Sequence, residues 1–132
     1  MRLQTALCAA FAACLALPAA AEQVIASYAA TIGIDDLYNS NGQRLTEPWQ
    51  VLRQDRANYH RYGITQPGDE WDPVFDDVAA RATLEQMLRR GAISAAARAD
   101  IMRGNATVYV TIRGNGMKAT HVDVVTYAEC GC

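Results

Sequence analysis

The last part of the chain carries the pattern that restricts the fold most strongly, a two-residue alternation interrupted by a turn. Val108, Val110 and Ile112 alternate with Tyr, Thr and Arg, and a second run from Lys118 to Tyr127 follows the tripeptide GNG at 114–116. A period of two is typical of a strand with one buried face, and Asn-Gly is typical of a hairpin turn. We therefore predict a β-hairpin with its valines on the buried face.

The length of the hairpin loop sets which residues face each other. A two-residue loop would place Val110 opposite His121 on the apolar face, whereas a three-residue loop pairs Val110 with Val122. We therefore expect the three-residue loop, which places His121 and Asp123 on one side of the second strand. There they form either a functional pair or part of an exposed polar sheet face.

The preceding segments complete an α+β pattern. Alternation predicts a strand over Val24–Ile32, and helical signals predict a helix from Thr46 to about Tyr62, with Gly63 beyond it. A second helix is predicted over Asp77–Arg90 and a short one after Ser94. The predicted fold is α+β, with an N-terminal strand, two longer helices, one short helix and a C-terminal β-hairpin. The strand and the hairpin form a three-stranded antiparallel sheet packed on the helices.

The first 21 residues have the composition of a bacterial secretory signal peptide. An apolar run from about Leu3 to Leu17 follows Arg2, and three alanines end at Ala21. The run is too short and too poorly flanked to predict a membrane span. We therefore predict cleavage near Ala21, a single domain over residues 22–132, and a periplasmic or secreted location. The alternative is a lipid on Cys14, which the apolar residues after Cys14 disfavour.

Cleavage would leave two cysteines, Cys130 and Cys132, in the sequence ECGC. In an oxidising compartment two thiols this close are expected to be oxidised. A bridge across one residue closes a very small loop and contributes little stability through chain entropy. We favour a passive local disulfide, with a bridge to another chain and redox or soft-metal chemistry as the alternatives.

The helix sequence QVLRQDRANYHRYG, 50–63, concentrates the ionisable residues of the chain. Projection at 100° per residue places Val51, Leu52, Tyr59 and Tyr62 on one buried arc, with Asp55 at its centre. An ionised carboxylate is costly to bury without partners. We expect Asp55 to accept hydrogen bonds from a tyrosine, an arginine or the backbone, and the alternative is an acid, base or ligand anchor in a cleft.

The neighbouring arc of this helix carries Arg53, Arg56 and His60. The simplest interpretation is a solvated face, and the functional interpretation is a cationic stripe that binds a small anionic ligand. Trp71 lies in an acidic loop and is either a lid on the core or an anchor for an unknown partner protein.

The sequence contains no nucleophile elbow, zinc motif, phosphate loop or dinucleotide fingerprint. The formal net charge of −2 disfavours nucleic acid as a partner, and no cofactor or metal is predicted. We therefore expect a small periplasmic or secreted binding protein rather than an enzyme. The alternatives are a hydrolase-like enzyme that uses Asp55 and His60, and a redox or metal-handling protein that uses Cys130 and Cys132.

Overall fold

A three-stranded antiparallel sheet runs through residues 22–132, the part of the chain that the computed structural model describes. Its strands are β1 (Gln23–Ile32), β2 (Ala106–Asn115) and β3 (Lys118–Thr126), with β2 in the centre. The predicted α+β fold class is confirmed. The predicted signal peptide, its cleavage near Ala21 and the lipid alternative at Cys14 lie outside the described residues.

The helices lie between β1 and β2 in the sequence. Within the described residues they are α1 (Pro48–Ala57), α2 (Val78–Ala82), α3 (Leu84–Arg90) and α4 (Ala95–Arg103), with a 3-10 turn at Ile34–Leu37 and a π turn at Asn58–Tyr62 after α1. No helix in residues 22–132 has the length and apolar character that a bilayer crossing requires.

Two helix boundaries differ from the sequence prediction. Glu47, not Thr46, occupies the N-cap of α1, and the Gln50 side chain accepts hydrogen bonds from the backbone N–H groups of both residues. The helix predicted over residues 77–90 is two helices that meet at Thr83. The N–H and the hydroxyl of Thr83 both donate to the carbonyl of Ala80, so the residue forms a tight turn that interrupts the helix.

The core lies between one face of the sheet and the helices. The sheet contributes the inward-facing residues Tyr28, Ala30, Ile32, Val108, Val110, Ile112, Val122 and Val124. The helical side contributes Val51, Leu52, Phe75, Leu84, Met87, Ala97 and Ile101. The alternation in β2 and β3 therefore has the predicted physical cause, because its apolar members are the buried ones.

The hairpin register differs from the predicted one by two residues. Val110 faces Val124, not Val122, because the turn joins Asn115 to Lys118 and Thr120 is an extra residue in β3. A shift of two residues keeps every side chain on its own face, so the predicted buried face is retained.

His121 and Asp123 lie on the same face of β3, but each has a different partner. His121 contacts Glu22, with 2.5 Å between Nδ1 and Oε2, whereas Asp123 Oδ2 accepts a 2.8 Å hydrogen bond from Arg113 Nε. These contacts explain both residues as parts of a polar sheet surface.

Candidate functional site

The residues predicted as a site lie in three different environments. Arg53 is exposed on the face of α1 that points away from the sheet, whereas Asp55 and Arg56 are buried on the opposite face of the same helix. His60 is largely buried, with 5% of its side chain exposed, and Trp71 is 60% exposed on the loop before α2. The predicted stripe of Arg53, Arg56 and His60 therefore does not form one surface.

Arg56 is a fully buried cation between the sheet and the loop before α2. Its Nε donates to Asp55 Oδ2 at 2.7 Å, and its Nη1 donates to Asp72 Oδ2 at 3.2 Å and to the Glu70 carbonyl at 2.9 Å. The guanidinium also lies over the rings of Tyr28 and Tyr59, 4.4 and 4.6 Å from their centres. A planar cation with several donors suits this combination of carboxylates and aromatic faces. We refer to these residues with Asp69 and His60 as the Arg56 cluster.

Asp72 connects the Arg56 cluster to the start of the helical segment that contains α2. Its Oδ1 accepts hydrogen bonds from the backbone of Val74 and Phe75, and its Oδ2 lies 2.7 Å from His60 Nε2. Burial raises the pKa of Asp72, but these hydrogen bonds and Arg56 outweigh burial and hold that pKa below its usual value. Asp72 is therefore the firmly ionised carboxylate of the cluster.

The pKa of Asp55 is shifted in the opposite direction from that of Asp72. Burial raises its pKa to about 7, against the attraction of Arg56. Arg56 does not prevent this shift because the same guanidinium also contacts Asp72 and lies 4.0 Å from Asp69. Three buried atoms of the cluster have no hydrogen-bond partner within residues 22–132, namely Asp55 Oδ1, Arg56 Nη2 and Tyr28 Oη. Asp55 is thus the carboxylate of the cluster whose pKa burial raises toward neutrality.

The burial of this cluster disfavours the hydrolase-like alternative. Asp55 and Arg56 are at most 1% exposed, and His60 reaches Asp72 rather than Asp55. A substrate would have to displace α1 to contact Asp55. The arrangement instead joins α1, β1 and the loop before α2 through one shared charge network.

An open groove lies along the outward face of α1, and we call it the α1 groove. It has a volume of about 840 Å³ and is lined by Arg53, Trp49 and Arg61 together with the 3-10 turn and the start of α2. Several of its apolar side chains are strongly exposed, namely Ile34, Tyr38, Tyr62, Ile64 and Val78. This combination of exposed apolar surface and guanidinium groups is typical of a binding site rather than of an ordinary solvated helix face.

The charges of the α1 groove are unbalanced. Within residues 22–132, neither Arg53 nor Arg61 forms an ion pair with a carboxylate. Asp35 is the acidic residue of the lining. A third arginine of the lining, Arg81, is buried and donates to the carbonyls of Phe75 and Asp76.

The π turn explains why the sequence placed Tyr62 on the wrong face. Projection at 100° per residue assumes an α-helix to Tyr62, but the backbone N–H groups of Gly63 and Ile64 both reach back to the Asn58 carbonyl. This wider turn rotates the following residues relative to α1. Tyr62 is consequently 55% exposed in the groove, whereas Asn58, seven residues after the buried Val51, is buried and donates to Asp36 at 2.8 Å. Periodicity contains no signal for the wider turn.

The remaining predicted feature is the cysteine pair. Cys130 and Cys132 form a disulfide, with 5.3 Å between their Cα atoms, in the turn that follows β3. Among the described residues, no group of three or more His, Cys, Asp or Glu side chains could hold a metal ion. Comparisons of the chain with protein-family models, curated proteins and solved structures gave no match.

Proposed function

We propose that this protein is a small secreted or periplasmic binding protein whose α1 groove takes a small anion with an apolar body. The observation that carries the proposal is the presence of two guanidinium groups that form no ion pair within residues 22–132, beside exposed aromatic and aliphatic side chains. Such a surface matches a ligand with one charged end and one apolar end.

The spacing of the two arginines supports an elongated ligand. Arg53 lies in α1 and Arg61 lies eight residues later in the π turn, and both line the groove. The exposed side chains of Tyr62 and Ile64 follow Arg61 in the lining. A ligand that binds one guanidinium through a carboxylate can therefore lay its apolar part along the groove.

The proposed location rests on the sequence and on the cysteines. Residues 1–21 have the composition of an export signal. A disulfide between Cys130 and Cys132 suits an oxidising compartment. Binding of an extracellular or periplasmic anion requires no cofactor.

The test uses decanoate as the probe and the fluorescence of Trp49, which lines the groove. A Trp71→Phe background removes the second tryptophan from the signal. We expect decanoate to change the Trp49 emission and to bind more tightly than decanol, which has the same chain without the charge. Replacement of Arg53 and Arg61 by Gln should weaken decanoate binding at least about tenfold, because a charged hydrogen bond contributes about 1.5 kcal/mol or more.

The matched control is an Arg90→Gln, Arg98→Gln protein. Both residues are exposed and outside the groove, so this variant removes the same charge and should bind decanoate normally. Equal affinity for decanol and decanoate, or equal weakening in both double variants, would contradict the proposal. Unchanged Trp49 emission over the whole titration would contradict it as well.

A further inference from the structure

The Cys130–Cys132 disulfide lies apart from the α1 groove and makes no contribution to the core. It joins residues two positions apart, in the turn that follows β3, and Gly131 and Cys132 are exposed. A bond over so short a segment constrains the unfolded chain very little. Its position therefore calls for an explanation other than stabilisation of the fold.

Hydrogen bonds hold this turn independently of the disulfide. The N–H groups of Glu129 and Cys130 donate to the Thr126 carbonyl, at 3.1 and 3.2 Å. The Glu129 carboxylate accepts from the Thr126 N–H at 2.8 Å and from the Ser94 hydroxyl at 2.6 Å. Opening of the disulfide therefore leaves the two sulfur atoms close together on an anchored turn.

The two sulfur atoms have different surroundings. Cys132 is exposed, whereas Cys130 is only partly exposed. The Cys132 N–H lies 3.1 Å from Cys130 Sγ, where it can donate to a thiolate, and the Tyr127 carbonyl lies 3.0 Å from the same sulfur, where it can accept from a thiol. The N–H contact stabilises the Cys130 thiolate and so favours Cys130 as the leaving group, whereas the Tyr127 carbonyl stabilises the neutral thiol once the proton has arrived.

Access to the bond is open on the side of Gly131. Apart from the two flanking cysteines, a Cβ atom added there would meet no heavy atom of residues 22–132 within 4 Å, and the residue has a φ of +70°, a conformation that glycine adopts without strain. An exposed disulfide of this kind is reducible, unlike the buried disulfides that stabilise secreted domains.

We propose that Cys130 and Cys132 form a thiol–disulfide exchange site that accepts two electrons from a dithiol. A substrate thiolate attacks Cys132 Sγ, a mixed disulfide forms with Cys132, and the Cys130 thiolate leaves. The second substrate thiolate attacks the substrate sulfur of the mixed disulfide and releases the Cys132 thiolate. The substrate is oxidised to its disulfide, the cysteine pair is reduced to two thiols, and the two substrate protons end on them.

The test follows the full chain, with Cys130 and Cys132 read by peptide mapping after an acid quench and alkylation. Reduced glutathione is the probe for the first step. We expect glutathione to appear on Cys132 at least ten times more often than on Cys130. Reduced glutathione should also react faster with the protein disulfide than with the disulfide of oxidised glutathione. With dithiothreitol as the dithiol, one equivalent should be oxidised per protein, and a Cys130→Ser, Cys132→Ser variant should oxidise none.

Gly131→Ala provides a variant that retains both sulfur atoms. A side chain at this φ is strained in the closed turn but meets no residue of 22–132 other than the flanking cysteines, so the variant should fold and its disulfide should be reduced at a lower glutathione concentration. The proposal would be overturned if glutathione appeared equally on both cysteines. It would also be overturned if reduced glutathione reacted no faster with the protein than with oxidised glutathione. An unchanged midpoint of reduction in Gly131→Ala would also overturn it.

Discussion

Arg56 is a buried cation that faces more carboxylates than one guanidinium can neutralise. Asp55 and Asp72 both accept hydrogen bonds from it, and Asp69 lies 4.0 Å from Nη2. The carboxylates divide by their other partners. Asp72 has two backbone donors and a lowered pKa, whereas Asp55 has a raised pKa and one oxygen that has no hydrogen-bond partner in the described part of the chain.

This division predicts the pH dependence of stability. The folded-state pKa of Asp55, about 7, lies above its usual value of 3.8, so the folded protein binds this proton more tightly than the unfolded chain does. The resulting stabilisation is present below pH 3.8 and disappears as the pH rises through about 7. Relative to Asp55→Asn, which does not titrate, the wild-type free energy of unfolding should fall by about 4 kcal/mol between pH 4 and 8.

Urea denaturation of both proteins across this pH range measures the difference directly. Asp72→Asn is the control, because the pKa of Asp72 is lowered in the folded protein. The difference in the free energy of unfolding between wild type and Asp72→Asn should therefore be constant above about pH 5 and should decrease only in stronger acid. A wild-type advantage over Asp55→Asn that grows from pH 4 to 7 would mean that Arg56 stabilises the Asp55 charge more than burial opposes it.

At the scale of the elements, carboxylates protect the open edge of β1. Ala29 and Thr31 point their N–H groups away from β2, and these donate to Glu70 Oε2 at 2.8 Å and Asp69 Oδ1 at 2.7 Å. The Ala29 carbonyl accepts from the Glu70 N–H in return. The loop before α2 therefore covers an edge that could otherwise pair with another strand.

Amide hydrogen exchange tests this edge one residue at a time. We expect Asp69→Ala to accelerate exchange of the Thr31 amide at least about tenfold, since the net loss of one such hydrogen bond is about 1.5 kcal/mol. Glu70→Ala should act in the same way on Ala29. The two variants control for each other, and equal acceleration of both amides in either variant would show that the loop opens as a unit instead.

The elements differ in how far the sequence could predict them. Alternation was sufficient to predict the hairpin because the apolar residues of the buried face all recur at the same two-residue spacing. Even with a register error of two residues, Val110 and Val124 were therefore predicted on the buried face. Asp55 was likewise placed correctly on the buried face of α1. Arg56 was not, because its burial depends on Tyr28 and Asp72, which come from distant parts of the chain.

The α1 groove could be predicted only in part for the same physical reason. Arg53 was identified from α1 alone, but Tyr62 reaches the groove through the π turn, which side-chain periodicity cannot reveal. The groove also needs the 3-10 turn and the start of α2, so its shape is a property of tertiary packing. Of the three arginines that line the groove, only Arg53 was therefore a candidate from the sequence.

For the molecule as a whole, stability depends on the layer between sheet and helices and not on its disulfide. The buried side chains of β1, β2 and β3 meet those of α1, α3 and α4 in one continuous core. Cys130 and Cys132 lie outside this core, in a turn that hydrogen bonds already hold. Reduction of the protein should therefore leave its cooperative unfolding intact.

The stability that the protein should lose on reduction follows from the length of the loop that the disulfide closes. Chain-entropy arguments assign a loop this short a stabilisation of at most about 1.5 kcal/mol, whereas truncation of a buried leucine costs about 2–5 kcal/mol. Urea denaturation of the oxidised protein, the reduced and alkylated protein, and Leu84→Ala should therefore rank Leu84→Ala as clearly the least stable. If reduction alone unfolds residues 22–132, the disulfide is a structural staple, and neither the independence of the turn nor its role in thiol exchange can be maintained.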